Sequence, residues 1–116
     1  MATRAALVRS ILKELGVWQA GQDLAPEDFR AVDEELPYRM AAMAKAEVYT
    51  VDDLNYIPDE AVSEIARYMA GEYSQVFGIS DTELQAIKQN AGLADQALRF
   101  QRTRRPTYAR QRAEYF

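Results

Sequence analysis

Four stretches of this chain return an apolar residue every three or four positions, and that rhythm limits the fold more than any other feature. The first carries Leu7, Val8, Ile11, Leu12 and Leu15, and the second Phe29, Val32, Leu36, Met40 and Met43. The third carries Val62, Ile65, Met69, Tyr73, Val76 and Phe77, and the fourth Leu84, Ile87, Ala91, Ala94 and Leu98, with Leu93 and Phe100 flanking. A 3.6-residue period puts each set on one side of a helix, where it must find a partner face. In 116 residues, 48% of them hydrophobic, that predicts one all-α domain, a four-helix bundle-like fold.

The punctuation agrees with the periods. Thr3 is a candidate N-cap for a helix over 4–15, and Gly16 supplies its left-handed stop. The linker after it holds Trp18, expected to plug one end of the bundle. Pro26 followed by Glu27 and Asp28 opens the second helix, and Pro58 followed by Asp59 and Glu60 opens the third. Gly78 marks the end of the third, and Ser80 with Glu83 has the form of a capping box for the fourth. A small-residue strip of Ser63, Ala66, Ala70 and Ser74, with Gly71 beside it, favours close helix packing. Ala41, Ala42, Ala44 and Ala46 offer similarly close approach on the second helix. The last helix is expected to fray near Arg102 and to end by Arg105, because Pro106 disfavours helix in the residue before it.

Two places break the pattern. Pro37 lies within the second apolar period, where it leaves the Asp33 carbonyl without its amide partner at a cost of about 3 kcal/mol. A kink or break is expected there, with helix continuing to about Lys45. Residues 47–57 hold Val48, Tyr49, Val51, Leu54 and Tyr56 around an Asp52-Asp53 turn. They read either as a short β-hairpin or as an ordinary extended excursion. If the excursion stands off the helices, those five apolar and aromatic residues are candidates for contact with a neighbouring subunit.

Composition narrows the chemistry. The chain has no histidine and no cysteine, which removes the usual neutral-pH general base and the commonest soft metal ligands. Glycine-rich phosphate loops, serine elbows and calcium loops are likewise missing from the sequence. The adjacent acids Asp33, Glu34 and Glu35, and Asp52 with Asp53, point in different directions and are expected to be solvated. No catalytic, metal-binding or cofactor-binding residue is expected, and no enzyme. Membrane insertion is not expected, since no apolar run reaches the roughly 18 residues a span needs. The charged N-terminal segment reads as a helix and not as a signal peptide.

Charge divides the chain in two. Residues 1–98 carry eight basic and seventeen acidic side chains, a balance of −9, whereas 99–116 carry six arginines against Glu114, a balance of +5. From Arg104 onward no helical apolar period remains, which predicts a helical domain over 1–103 and an extended tail over 104–116. Fully extended, the tail would reach roughly 43 Å at ~3.3 Å per residue. Arginine and tyrosine are favoured interface anchors, so Arg102, Arg104, Arg105, Pro106, Tyr108, Arg110, Arg112, Tyr115 and Phe116 are the candidate partner-binding residues. The same composition suits a nucleic-acid strap, with arginine on phosphate and tyrosine stacked on bases. That alternative, a small helical nucleic-acid-binding regulatory protein, has an acidic body against it.

The order of the pieces resembles the head–tail adaptor proteins of tailed bacteriophages, also called connector, tail accessory or head-completion proteins, and their relatives in gene transfer agents. The resemblance runs through ILKELGVWQAGQ, APEDFRAVDEEL, NYIPDEAVSEIARYMAGEYSQVFGI and the LRFQRTRRPTY of the tail. It implies a ring of subunits, typically twelve, that forms under the portal protein at the virion neck after time in the host cytoplasm. Such a ring extends the DNA channel, helps retain packaged DNA and presents a platform to the next neck or tail protein. Double-stranded DNA passes through it without sequence-specific binding. The resemblance also implies that the C-terminal segment, here Arg104 to Phe116, grips the portal. An acidic channel wall would discourage DNA from sticking, and Asp33, Glu34, Glu35, Asp52 and Asp53 are the candidates to face it.

Overall fold

Thr3 caps the first helix as its position predicts. Its hydroxyl accepts the Ala6 amide at 3.2 Å, and α1 runs over Arg4–Leu15. Gly16 at φ +76° then turns the chain, with its own amide on the Lys13 carbonyl and the Val17 amide on that of Leu12. The structure, a computed structural model, describes residues 2–19 and 21–104, leaving out the side chains of 103 and 104. It contains α2 over Pro26–Lys45, α3 over Asp59–Tyr73 and α4 over Asp81–Arg104. The all-α helical bundle expected from the apolar periods is the fold observed.

α3 is the middle of the bundle, packed on α1 on one side and on α4 on the other, with α2 against α1. The fully buried side chains are those of the apolar stripes: Leu7, Ile11 and Leu12 from α1, Leu36 and Met43 from α2, Ile65, Met69 and Tyr73 from α3, and Leu98 from α4. Trp18 packs half-buried against this core, its indole N–H donating to the Gln22 carbonyl at 2.9 Å.

The small-residue strip of α3 does bring a helix close. A Cβ on Gly71 would lie 2.7 Å from the Ala91 Cβ of α4, whereas one on Gly92, the next residue of α4, would meet nothing within 4 Å. The two glycines should therefore respond to alanine with opposite signs. Gly92→Ala is expected to stabilise by about 0.5–1 kcal/mol through helix propensity and reduced unfolded-state entropy. Gly71→Ala must push two backbones apart and is expected to cost about 1–3 kcal/mol. Urea unfolding of the two variants, side by side, measures both.

Three expectations are corrected. α2 is assigned as one helix through Pro37, so the break does not occur. Residues 47–57 form no hairpin: among the described residues the one β-bridge joins Ala2 to Ile57. Instead α2 closes in a Schellman turn. The Val48 amide bonds the Met43 carbonyl at 3.2 Å, the Glu47 amide bonds that of Ala44 at 3.0 Å, and Glu47 takes the left-handed φ of 62°. That turn drives Val48 and Tyr49 into the core, at 1% and 2% exposure, and so withdraws them from any contact with a neighbouring subunit. Lastly, α3 stops at Tyr73 and not at Gly78, and residues 74–78 continue as turns, with the Ser74 hydroxyl donating to the Gly71 carbonyl at 2.8 Å. Val76, expected on the apolar face, is left half-exposed. The alanines at 41, 42 and 46 are exposed as well.

Candidate functional site

The cationic segment leaves the body at the end of α4, and that end is latched at two points. The Arg99 guanidinium reaches the Ala46 carbonyl just past α2 at 3.4 Å while pairing with Asp95 one turn back at 2.5 Å. Two residues on, the Gln101 side-chain amide donates to the Glu60 carbonyl in the first turn of α3 at 3.2 Å. Both latch points, Ala46 and Glu60, lie within residues 46–66, which contain six acids and no lysine or arginine. The arginine-rich end of α4 therefore lies beside a stretch whose charges are all acidic. Glu47, Asp52, Asp53, Asp59 and Glu60 are all exposed there, and Tyr56 rises among them at 64% exposure. Val51 and Leu54 are half-buried beneath, packed against the core.

Of the candidate partner-binding residues, Arg102 is exposed on the last turns of α4, and Arg104 is the final helical residue. Arg105, Pro106, Tyr108, Arg110, Arg112, Tyr115 and Phe116 lie outside the described residues.

The candidate channel acids divide into committed and free-facing groups. Asp33 is half-buried, its carboxylate held by Arg4 Nε at 2.7 Å. Glu35 is bonded to Arg39 at 3.0 Å, although it is exposed. Glu34, Asp52 and Asp53 face solvent, and Asp53 also turns its own loop by accepting the Asn55 amide at 2.9 Å. The structure does not gather these five acids into one cluster. Among the described residues no group of three or more acidic side chains is arranged to hold a metal ion.

What the sequence reading missed is the polar brace around Pro37. The proline removes the amide that would bond the Asp33 carbonyl, and Arg4 Nη2 donates to that carbonyl at 2.7 Å, on the same guanidinium that binds the Asp33 carboxylate. Next to it, the Val32 carbonyl accepts the buried Tyr73 hydroxyl at 2.8 Å. Arg39 lies 4.3 Å over the Tyr73 ring and also bonds the Glu72 carbonyl at 3.1 Å. Side chains from α1 and α3 thus complete the α2 backbone at its weak point. Pro37 pointed to an orphaned carbonyl, but nothing local pointed to Arg4, 29 residues away in the chain.

Burial raises the Tyr73 phenol well above its ordinary value near 10; Arg39 opposes the shift, and Glu35 and Asp33 add to it. The phenol stays protonated in the folded chain while its unfolded counterpart ionises above pH ~10. Its contribution to stability is therefore complete below that pH and falls as pH rises beyond it. Tyr73→Phe is expected to cost about 1 kcal/mol at pH 7, for the lost hydrogen bond, and to flatten the decline above pH ~10. Urea midpoints at pH 7 and in the alkaline range measure both effects.

Shallow hollows among the described residues include one of about 430 Å³ at the start of α2, lined by Leu24, Pro26, Phe29, Arg30 and Asp33, and one of about 260 Å³ over the Gly71 crossing. Among the described residues no helix is long and apolar enough to cross a membrane. Compared with family models, curated proteins and solved structures, the chain matches none of them.

Proposed function

We propose that this chain is a structural head–tail adaptor subunit. It assembles as a ring under a portal vertex, extends the DNA channel and offers a platform to the next neck or tail protein. The observation that carries the reading is the division of labour within the chain. A well-packed acidic helical body ends in one long helix, and the last turns of that helix begin a stretch, residues 99–116, of net charge +5. A nucleic-acid binder would be expected to carry basic charge on its folded face, where this body carries −9. In this reading the arginines pair with acids along a portal groove, and Tyr108, Tyr115 and Phe116 supply the anchors. Glu34, Asp52 and Asp53 are the acids left to line the DNA path, since Asp33 and Glu35 already hold Arg4 and Arg39.

Salt separates this reading from the nucleic-acid alternative. The purified chain is expected to bind free duplex DNA only weakly at physiological salt, and to lose that binding steeply as salt rises. The same chain, added to DNA-filled heads that carry a portal but no neck, is expected to sediment with them. Tight duplex binding at physiological salt, without recruitment to heads, would favour the alternative.

A further inference from the structure

Residues 47–57 form a shelf that is fixed at both ends. Val48 and Tyr49 are buried at one end. At the other, Ile57 is buried and exchanges two backbone hydrogen bonds with Ala2, of 2.8 and 2.9 Å. Between them the Tyr56 amide bonds the Asp53 carbonyl at 3.0 Å and the Asn55 amide bonds the Asp53 carboxylate at 2.9 Å, so Asp53 and Tyr56 lie across one tight turn. The result is a preformed surface of mixed chemistry. Tyr56 stands 64% exposed, Val51 and Leu54 are half-buried in the same loop, and Glu47, Asp52, Asp53 and Glu60 are exposed. Among the described residues none of these four acids is ion-paired, whereas Arg4, Arg39, Arg67 and Arg99 all pair with acids elsewhere.

A second observation comes from the end of α4. Gln101 donates through Nε2 to the Glu60 carbonyl, yet its Oε1 is buried with no hydrogen-bond partner. A buried acceptor is rarely left unmet, and this one calls for a donor beside Glu60. We infer that the shelf holds the chain's own arginine-rich segment, residues 104–116. The segment carries four arginines against one acid, to set against four unpaired carboxylates. Each guanidinium brings five N–H donors, the kind of group that the Gln101 oxygen lacks. Tyr108, Tyr115 and Phe116 find apolar counterparts in Val51, Leu54 and Tyr56. The occupant is the same chain's segment because that segment starts at the shelf, where Arg99 and Gln101 fix the end of α4 to Ala46 and Glu60. So short a tether sets an effective concentration of about a millimolar, on the order of a thousandfold above a second copy at micromolar concentration. The contact belongs to the free chain and does not depend on the adaptor reading. Under that reading it is the state that portal docking displaces, the arginines passing from the chain's own acids to those of the portal.

The sequence has no cysteine, so pairs of cysteines at neutral positions of the full chain report where the segment lies. Asn55→Cys with Ala113→Cys is expected to close an intramolecular disulfide under mild oxidation at low salt. Gln89→Cys with Ala113→Cys is the control. Gln89 is exposed and about 22 Å back along α4, within the roughly 30 Å that nine residues past Arg104 can span. The first pair should close ~10-fold faster than the control or more. About 1 M salt, which screens charges beyond ~3 Å, should remove most of that difference. Neutralising the shelf with Glu47→Gln, Asp52→Asn, Asp53→Asn and Glu60→Gln should remove it too, with the helical circular dichroism unchanged. Equal rates for the two pairs overturn the inference, as does a difference that survives both salt and neutralisation. Disulfide-linked dimers in place of linked monomers overturn the contact within one chain and hand the shelf to the segment of a second copy.

Discussion

Replacing Arg4 with leucine is expected to destabilise the protein by about 2–3 kcal/mol, and to do so in part because Pro37 is present. The estimate rests on one charged donor that serves two acceptors on the same residue, the Asp33 carboxylate and the Asp33 carbonyl, both at 2.7 Å. A hydrogen bond from a charged group contributes about 1.5–3 kcal/mol, and the orphaned acceptor adds its desolvation. The ion pair alone would contribute far less, since both side chains are about one-third exposed. In a Pro37→Ala background the new amide can bond the Asp33 carbonyl, so Arg4→Leu should cost about 1 kcal/mol less than in the parent chain. A double-mutant cycle by urea unfolding reads this coupling. Additive costs would mean that Arg4 holds only the carboxylate.

That brace shows where the sequence was informative and where it was not. The span of α1 was legible because its signals are local: Thr3 before it, Gly16 after it and five apolar residues between. The same holds for the starts of α2 and α3 at proline followed by acids. The end of α2 near Lys45 was legible as well, but the turn that closes it was not, because it uses Glu47 in a left-handed conformation where glycine is the usual marker. With that turn unseen, the β-forming character of Val48 and Tyr49 suggested a strand, when these residues are core anchors delivered by the turn. The tolerance of Pro37 was equally hidden, since its compensation comes from Arg4 and Tyr73 on other helices. Of the candidate site, the charge division and the exposed acids were readable. The latching of α4 beside residues 46 and 60 depends on tertiary packing and was not.

The second large effect concerns the end of the chain. Removing Tyr115 and Phe116 is expected to weaken attachment to portal-bearing heads by roughly 30-fold or more, the loss of at least one anchor worth about 2 kcal/mol. Ending the chain at Arg104 should abolish attachment altogether, because the remaining arginines and Tyr108 go with it. Among the described residues the last buried side chain is that of Leu98 on α4, ahead of both truncation points. Circular dichroism and the urea midpoint should therefore stay close to those of the full chain. Attachment and stability are expected to separate cleanly, which a general destabilisation would not do.

The most direct test of the adaptor account is a cryo-EM reconstruction of the portal vertex on heads that lack a neck, incubated with the full chain or with the chain ending at Arg104. The account predicts a ring of helical density beneath the portal with the full chain, its C-terminal segments running onto the portal wall, and a bare portal with the shortened one. A bare portal with the full chain, or an equal ring with both, would contradict it.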